Sequence, residues 1–264
     1  MYDFAYHRPT SLDDAVAALE RAADGQLLAG GQTLIPTLKQ RLAQPSDLVD
    51  LGAIDGLAGV RPLGNAIEIG AMTRHADVAA NADLRKAIPA LATLAGGIGD
   101  AQVRNRGTIG GSLANSDPAA DYPAAVLGLN ATIHTNQREI AADNYFTGLF
   151  ETALKEGEII TKVSFPLPEK AGYAKFSNPA SRYAVVGVLV AKTGSGVRVA
   201  VTGAGPCVFR ANAIERALSA DFSPAALDGV SVSPDGLNAD LHASAEYRAH
   251  LIVVMARRAV ATAA

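Results

Sequence analysis

Two stretches decide how this chain is read: Ala29-Gly30-Gly31-Gln32-Thr33-Leu34-Ile35-Pro36 and Arg106-Gly107-Thr108-Ile109-Gly110-Gly111-Ser112. In the first, the apolar run Gln26 to Ala29 reads as a short buried strand, Gly30-Gly31 breaks it, and a helix is expected over Leu34 to Leu42. Pro36 is tolerated in that helix's first turn, where the missing N–H has no helical partner anyway. Glycines let the backbone come close to a bulky anion, and successive N–H groups at such a turn form a positive concavity whose natural guest is phosphate. The plain alternative is an ordinary strand-to-helix turn. The second stretch repeats the logic with three glycines and two hydroxyls. Its alternative, a mobile glycine linker, sits poorly with the interleaved Ile98, Val103 and Ile109. One cradle is enough for a mononucleotide. Two cradles, in adjacent lobes, suit a dinucleotide held from both sides of its pyrophosphate.

Working outward, Ser11 stands at an N-cap with Asp14 three residues on, and Leu12, Ala15, Val16 and Leu19 make one apolar helical stripe. Asn65 to Ala71 alternates like a strand. Asp83 to Ala95 is expected as one helix with Pro89 a local irregularity. Ala131 to His134 and Glu158 to Phe165 are further strands, and Pro166-Leu167-Pro168 is a break where a boundary is placed. Tyr183 to Ala191 and Val197 to Val201 are valine-rich, joined through Thr193-Gly194-Ser195-Gly196 as a hairpin. Ser244 to Ala261 is helical. The expected class is α+β, divided as 1–55, 56–167 and 168–264.

Composition removes several functions. The 264 residues carry a net charge of −3, which argues against gripping nucleic acid by its phosphates. No apolar run approaches the ~20 residues of a membrane span, and Met1 to His7 is not a signal peptide, so a cytoplasmic setting is the default. The single cysteine, Cys207, cannot build a disulfide, a thiolate zinc site or an iron–sulfur site within the chain. The five histidines show no metal-ligand spacing and read as capping or surface residues. Asp117 and Asp121, in Asn115-Ser116-Asp117-Pro118-Ala119-Ala120-Asp121, read on chemistry alone as a turn and a helix N-cap before they read as sugar-hydroxyl acceptors. Thr202-Gly203-Ala204-Gly205 lacks the third glycine of a dinucleotide fingerprint, and Gly110-Gly111-Ser112-Leu113-Ala114 is not a nucleophile elbow.

Taken together, Ala29 to Leu34, Arg104 to Ala114 and Ser116 to Asp121 resemble the FAD-binding medium subunits of molybdenum hydroxylases, the xanthine dehydrogenase and carbon monoxide dehydrogenase family. The likeness extends to Tyr2-Asp3-Phe4 and to His242 through Arg248. It implies a PCMH-type FAD-binding fold, with two α/β lobes plus a C-terminal lobe of antiparallel sheet and helices. By that resemblance Ala29, Gly30, Gly31, Gln32, Thr33 and Leu34, with Thr108, Ile109, Gly110 and Gly111, would hold the pyrophosphate of non-covalent FAD. Ser112, Asn115 and Asp121 would line its ribityl and adenosine side. Ile160 would lie near the adenine or flavin edge, Lys175 near the isoalloxazine, and Tyr183 beside the ring. No catalytic side chain and no metal ligand is implied. The implied role is electron transfer, from [2Fe-2S] clusters on a small partner subunit to a terminal acceptor, with the molybdenum cofactor on a large partner subunit and the assembly a dimer of heterotrimers. Arg182 departs from the family, which usually has an acidic residue before the tyrosine. Two alternatives stand: a stand-alone flavin oxidase of the same fold, and a non-catalytic assembly subunit that has lost FAD.

Overall fold

The computed structural model describes residues 1–264. Its first stretch contains β1 (Ala5–His7), α1 (Leu12–Arg21), β2 (Gly25–Leu28), α2 (Leu34–Lys39) and β3 (Asp47–Asp50). β3 lies between β1 and β2 and runs parallel to both. Parallel neighbours need crossovers, which α1 and α2 supply. The Ser11 hydroxyl accepts the Asp14 N–H at 3.1 Å, as its position requires of an N-cap. α2 stops at Lys39, short of the expected Leu42, and the chain turns through Arg41 at a left-handed φ of 59°.

The middle stretch runs β4 (Val60–Leu63), β5 (Ala66–Gly70), α3 (His75–Ala80), α4 (Ala82–Ala87), α5 (Pro89–Gly96), α6 (Ala101–Arg104), α7 (Ile109–Asn115), α8 (Tyr122–Gly128), β6 (Thr132–Thr135), β7 (Glu139–Ala141), β8 (Phe146–Gly148), β9 (Glu151–Thr152) and β10 (Ile160–Pro166). Five of these strands form an antiparallel sheet in the order β4-β5-β10-β6-β7. The single helix expected from Asp83 to Ala95 is two. Proline has no N–H to give and disfavours helical backbone in the residue before it. Accordingly Ile88 sits at φ −139°, and Pro89 opens a new helix instead of denting an old one. The strand expected from Glu158 begins at Ile160, because Glu158 is held by an ion pair with Arg138.

The last stretch holds β11 (Lys170–Ser177), β12 (Ala184–Thr193), β13 (Gly196–Thr202), β14 (Phe209–Arg210), α9 (Asn212–Ala220) and α10 (Ala245–Ala261). The strands pair antiparallel in chain order, with the expected hairpin between β12 and β13. β12 is buried from Ala184 to Ala191, which explains its unbroken apolar run. From Val188 on, its side chains alternate between two cores. Leu189 and Ala191 join the large core of the middle stretch, whereas Val186, Val188 and Val190 join the core beneath α10. α10 is capped by Ser244, whose hydroxyl accepts the Tyr247 N–H at 3.2 Å.

Candidate functional site

The two glycine stretches meet. Both line one cavity of about 1010 Å³, at the upper end of the range for cofactor sites. At Gly30 an added Cβ would run into the carbonyl oxygen of Arg106 and sit 2.8 Å from the Gly107 Cα, so the loops abut and form a continuous floor. Ala29 and Gly111 make the second point of approach, with 3.4 Å between the Ala29 Cβ and a Cβ built on Gly111.

The loops differ in what their N–H groups do. None of the N–H groups of Ala29 through Thr33 donates to a protein acceptor, while Ile35 and Thr37 already bond back to the carbonyls of Gly31 and Thr33. Gly31 takes φ +71°, turning this short arc of donors toward the cavity. In the second loop the donors are committed. Ile109 N–H bonds the Thr73 carbonyl at 3.1 Å, Gly110 N–H bonds that of Ala71 at 2.8 Å, and the His75 N–H bonds the Gly107 carbonyl at 2.9 Å. Segment 71–75 thus runs beside the loop as a small antiparallel ladder, with Arg74 opposite Thr108. Gly110 is glycine because a Cβ would lie 2.6 Å from the Ala71 Cβ, a packing reason and not the close approach of a phosphate. Ile109 is fully buried in the core and does not line the cavity. What this loop offers a guest is the Gly111 backbone and the hydroxyls of Thr108 and Ser112. The Gly111 N–H is held only by Thr108 Oγ1 at 3.2 Å.

Fourteen of the sixteen expected site residues line this cavity; Ile109 and Lys175 do not. Lys175 stands behind the wall. Its Nζ donates to Asp121 (2.9 Å to Oδ1), to the Gly97 carbonyl (2.9 Å) and to the Arg182 carbonyl (3.0 Å), which satisfies all three of its donors. The expected cap at Asp121 is also corrected. Asp121 makes no side-chain cap bond to α8, because its carboxylate is turned toward β11, accepting from the Tyr173 hydroxyl at 2.5 Å and from Lys175. Burial pushes the Asp121 carboxyl up, and Lys175 and Tyr173 act against that shift. Asp117 is the turn residue expected, its Oδ1 accepting the Ala119 N–H at 2.8 Å.

The cavity has two distinguishable ends. One is walled by Ser181, Arg182 and Tyr183, beside Asp117 and Gly99. Arg182 holds φ +63° there, fixed by Lys175 on its carbonyl and by its own N–H on the Asn178 carbonyl. The other end is walled by residues 154 and 156–160, facing Leu19, Ala22 and Leu27 of the first stretch. Ile159 is buried there against Ala15, Ala18 and Val49.

His75 is the residue whose place the sequence hid. Read as a capping or surface histidine, it is 5% exposed, lines the cavity, and presses its Nε2 under Gly107, 2.6 Å from where a Cβ would be. Burial, aided by the Arg104 cation, holds its pKa down at about 4, so it is neutral at pH 7. Its Nδ1 and the hydroxyl of Tyr122, whose ring lies 5.3 Å away, are both buried without a partner. No spacing pattern marks a lone histidine of this kind; only the fold brings it under the loop junction.

A floor with free N–H donors, a glycine that admits no Cβ and a cavity of about 1010 Å³ fit a dinucleotide cofactor. Residues 2–168 match the family described as the FAD binding domain in molybdopterin dehydrogenase, and the chain belongs to that family. Among its relatives, the nicotine 6-hydroxylase medium subunit of Paenarthrobacter nicotinovorans is 35% identical, covering 98% of this chain and 96% of the relative. The carbon monoxide dehydrogenase medium chain of Afipia carboxidovorans is 36% identical over 97% of this chain and 95% of its own. The solved carbon monoxide dehydrogenase of Hydrogenophaga pseudoflava superposes with a TM-score of 0.87 at 34% identity, covering 98% of this chain and 96% of that one. The chain is thus a medium, FAD-binding subunit of the molybdenum hydroxylase type, an oxidoreductase component.

Proposed function

We propose that the chain is an electron-relay subunit, standing between [2Fe-2S] clusters on a small partner subunit and a terminal acceptor, in a complex whose large subunit carries the molybdenum cofactor. The observation that carries this reading is the run of undonated N–H groups from Ala29 to Thr33, lining a cavity large enough in volume for a dinucleotide. Non-covalent FAD is the guest it fits. The pyrophosphate would lie over Ala29 to Thr33, with Gly111 and the Ser112 hydroxyl on its other side. The isoalloxazine would sit at the Tyr183 end, and the adenosine at the more apolar end between Leu27 and Ile159. Bound there, FAD supplies a redox group able to take and give electrons singly or in pairs.

The chain's own residues bind, orient and shield. Ala29 to Thr33 neutralise the diphosphate by oriented dipoles, with no lysine or arginine among them. Lys175 fixes the loop that presents Tyr183, through the Arg182 carbonyl, and so sets where the ring edge points. His75 keeps the seam between the loops in place without adding charge. No side chain is assigned a catalytic role. With Cys207 the only cysteine, clusters belong to partners, and a dimer of heterotrimers in the cytoplasm, with lobes 1–55, 56–167 and 168–264 in this subunit, completes the reading.

The test is spectroscopic. The purified full chain should carry one flavin, released as intact FAD by acid. In the assembled complex, substrate should reduce the clusters and then the flavin, whereas Gly30→Ala should leave electrons on the clusters. A colourless chain that takes up no added FAD would refute the reading.

A further inference from the structure

The wall at the adenosine end has no regular secondary structure: residues 153–159 lie between β9 and β10. Backbone in such a segment needs partners from elsewhere, and here one tight turn supplies those of the Ala153, Gly157 and Ile159 carbonyls and of the Ile159 N–H. That turn joins β6 to β7 and consists of Asn136, Gln137 and Arg138. Arg138 grips Glu158 with two parallel bonds, Nε to Oε1 at 2.7 Å and Nη2 to Oε2 at 3.0 Å, and also donates to the Ala153 carbonyl at 2.6 Å. The Glu158 side chain is fully shielded from solvent. It accepts from Thr135 Oγ1 at 3.0 Å and from the Lys155 N–H at 2.7 Å, so it closes its own loop. Asn136 adds a second clasp: its Oδ1 accepts the Ile159 N–H at 2.8 Å, its N–H bonds the Ile159 carbonyl at 3.0 Å, and its Nδ2 reaches the Gly157 carbonyl at 3.3 Å. Both ends of the wall are therefore fastened to a turn that does not itself line the cavity.

We propose that the Arg138–Glu158 pair and Asn136 are positioning residues that set this chain's preference for a dinucleotide over a mononucleotide flavin, by holding wall 154–160 at the end of the cavity opposite Tyr183. A bidentate guanidinium–carboxylate pair fixes direction as well as distance, and a wall so fixed keeps the chain from Gly157 to Ile160 in one place at the edge of the cavity, with the Ile159 and Ile160 side chains packed into the cores behind it. Losing the clasp frees that wall and leaves the floor and the Tyr183 end as they are. The ligand half that touches the wall should then bind more weakly, and the half that does not should be unaffected.

This inference rests on the orientation of FAD proposed above. The experiment measures FAD and FMN binding to the flavin-free full chain by fluorescence quenching, in wild type, Glu158→Gln, Asn136→Ala and Arg138→Lys. The wild type should prefer FAD. Glu158→Gln and Asn136→Ala should each weaken FAD binding about tenfold with FMN affinity within twofold of wild type, and Arg138→Lys, which keeps the charge opposite Glu158, should weaken FAD binding less than either. A general loosening of the fold would weaken both ligands alike, and that result overturns the proposal, as does unchanged FAD affinity. Should Glu158→Gln fail to fold, Asn136→Ala decides, since it removes no buried charge. A wild-type chain that binds neither flavin overturns the functional reading and this inference with it; FAD binding without the selective loss overturns the inference alone.

Discussion

The two glycine loops look alike on paper and do opposite things in the fold. Ala29 to Thr33 leaves its N–H groups free, facing a cavity. Thr108 to Gly111 commits the N–H groups of Ile109 and Gly110 to the ladder with segment 71–75. The first is a recognition surface, and the second is the scaffold that holds it. Glycine serves both, for different reasons: at Gly30 and Gly110 it permits backbone to meet backbone, and at Gly31 it permits a left-handed turn. Composition alone does not separate a loop that binds from a loop that supports.

Substitutions can break or sharpen that contrast. The largest effect is expected at Gly110→Asp, where a side chain would collide with Ala71 and bring a charge into a buried site. The chain should lose its fold and its FAD together, seen as loss of both the thermal transition and flavin absorbance. Next comes Gly30→Ala, where the added methyl meets the Arg106 carbonyl and forces the two loops apart. FAD affinity should fall by about a hundredfold or more, with circular dichroism near wild type; an unchanged dissociation constant would refute the shared floor.

His75 tests the support side. Its folded pKa, about 4, lies below the ordinary 6.5, so the unfolded chain takes up a proton first as pH falls. Its share of stability is full above about pH 6.5 and is lost as pH drops through 4, a change of about 3 kcal/mol. His75→Asn should flatten the denaturant-midpoint curve between those values, and an unaltered slope would show that the imidazole is not held neutral. Gly111→Ala should matter least. Its added methyl meets only Thr108 Oγ1 at 3.1 Å and Ala29 Cβ at 3.4 Å, so FAD affinity should change by less than about threefold.

Much of this was legible in the sequence, and the misses share a cause. The Ser11 cap, the last helix, the hairpin at Thr193 to Gly196 and the break after β2 rest on contacts within a few residues, and the structure places them as expected. The family resemblance likewise brought most of the expected residues to one cavity. The cap reading of Asp121 and the surface reading of His75 went astray because their partners lie far along the chain. Asp121 accepts from Tyr173 and Lys175, and His75 sits under Gly107. A residue that reads locally as a cap or a surface group is then claimed by a distant neighbour. The split at Pro89 is a different kind of miss, since the rule that starts a helix at proline was available from the residues alone.

β12 has a consequence for how the molecule comes apart. Its side chains feed both cores, Leu189 and Ala191 the one and Val185, Val186, Val188 and Val190 the other, so neither core can open without disturbing a strand the other uses. Heating should therefore melt the middle and last stretches in one cooperative step, with equal calorimetric and van't Hoff enthalpies. Lys175, on the neighbouring strand, ties the Tyr183 loop to that same unit through the Arg182 carbonyl, so this loop is tethered at its base while its exposed tip stays free to move locally.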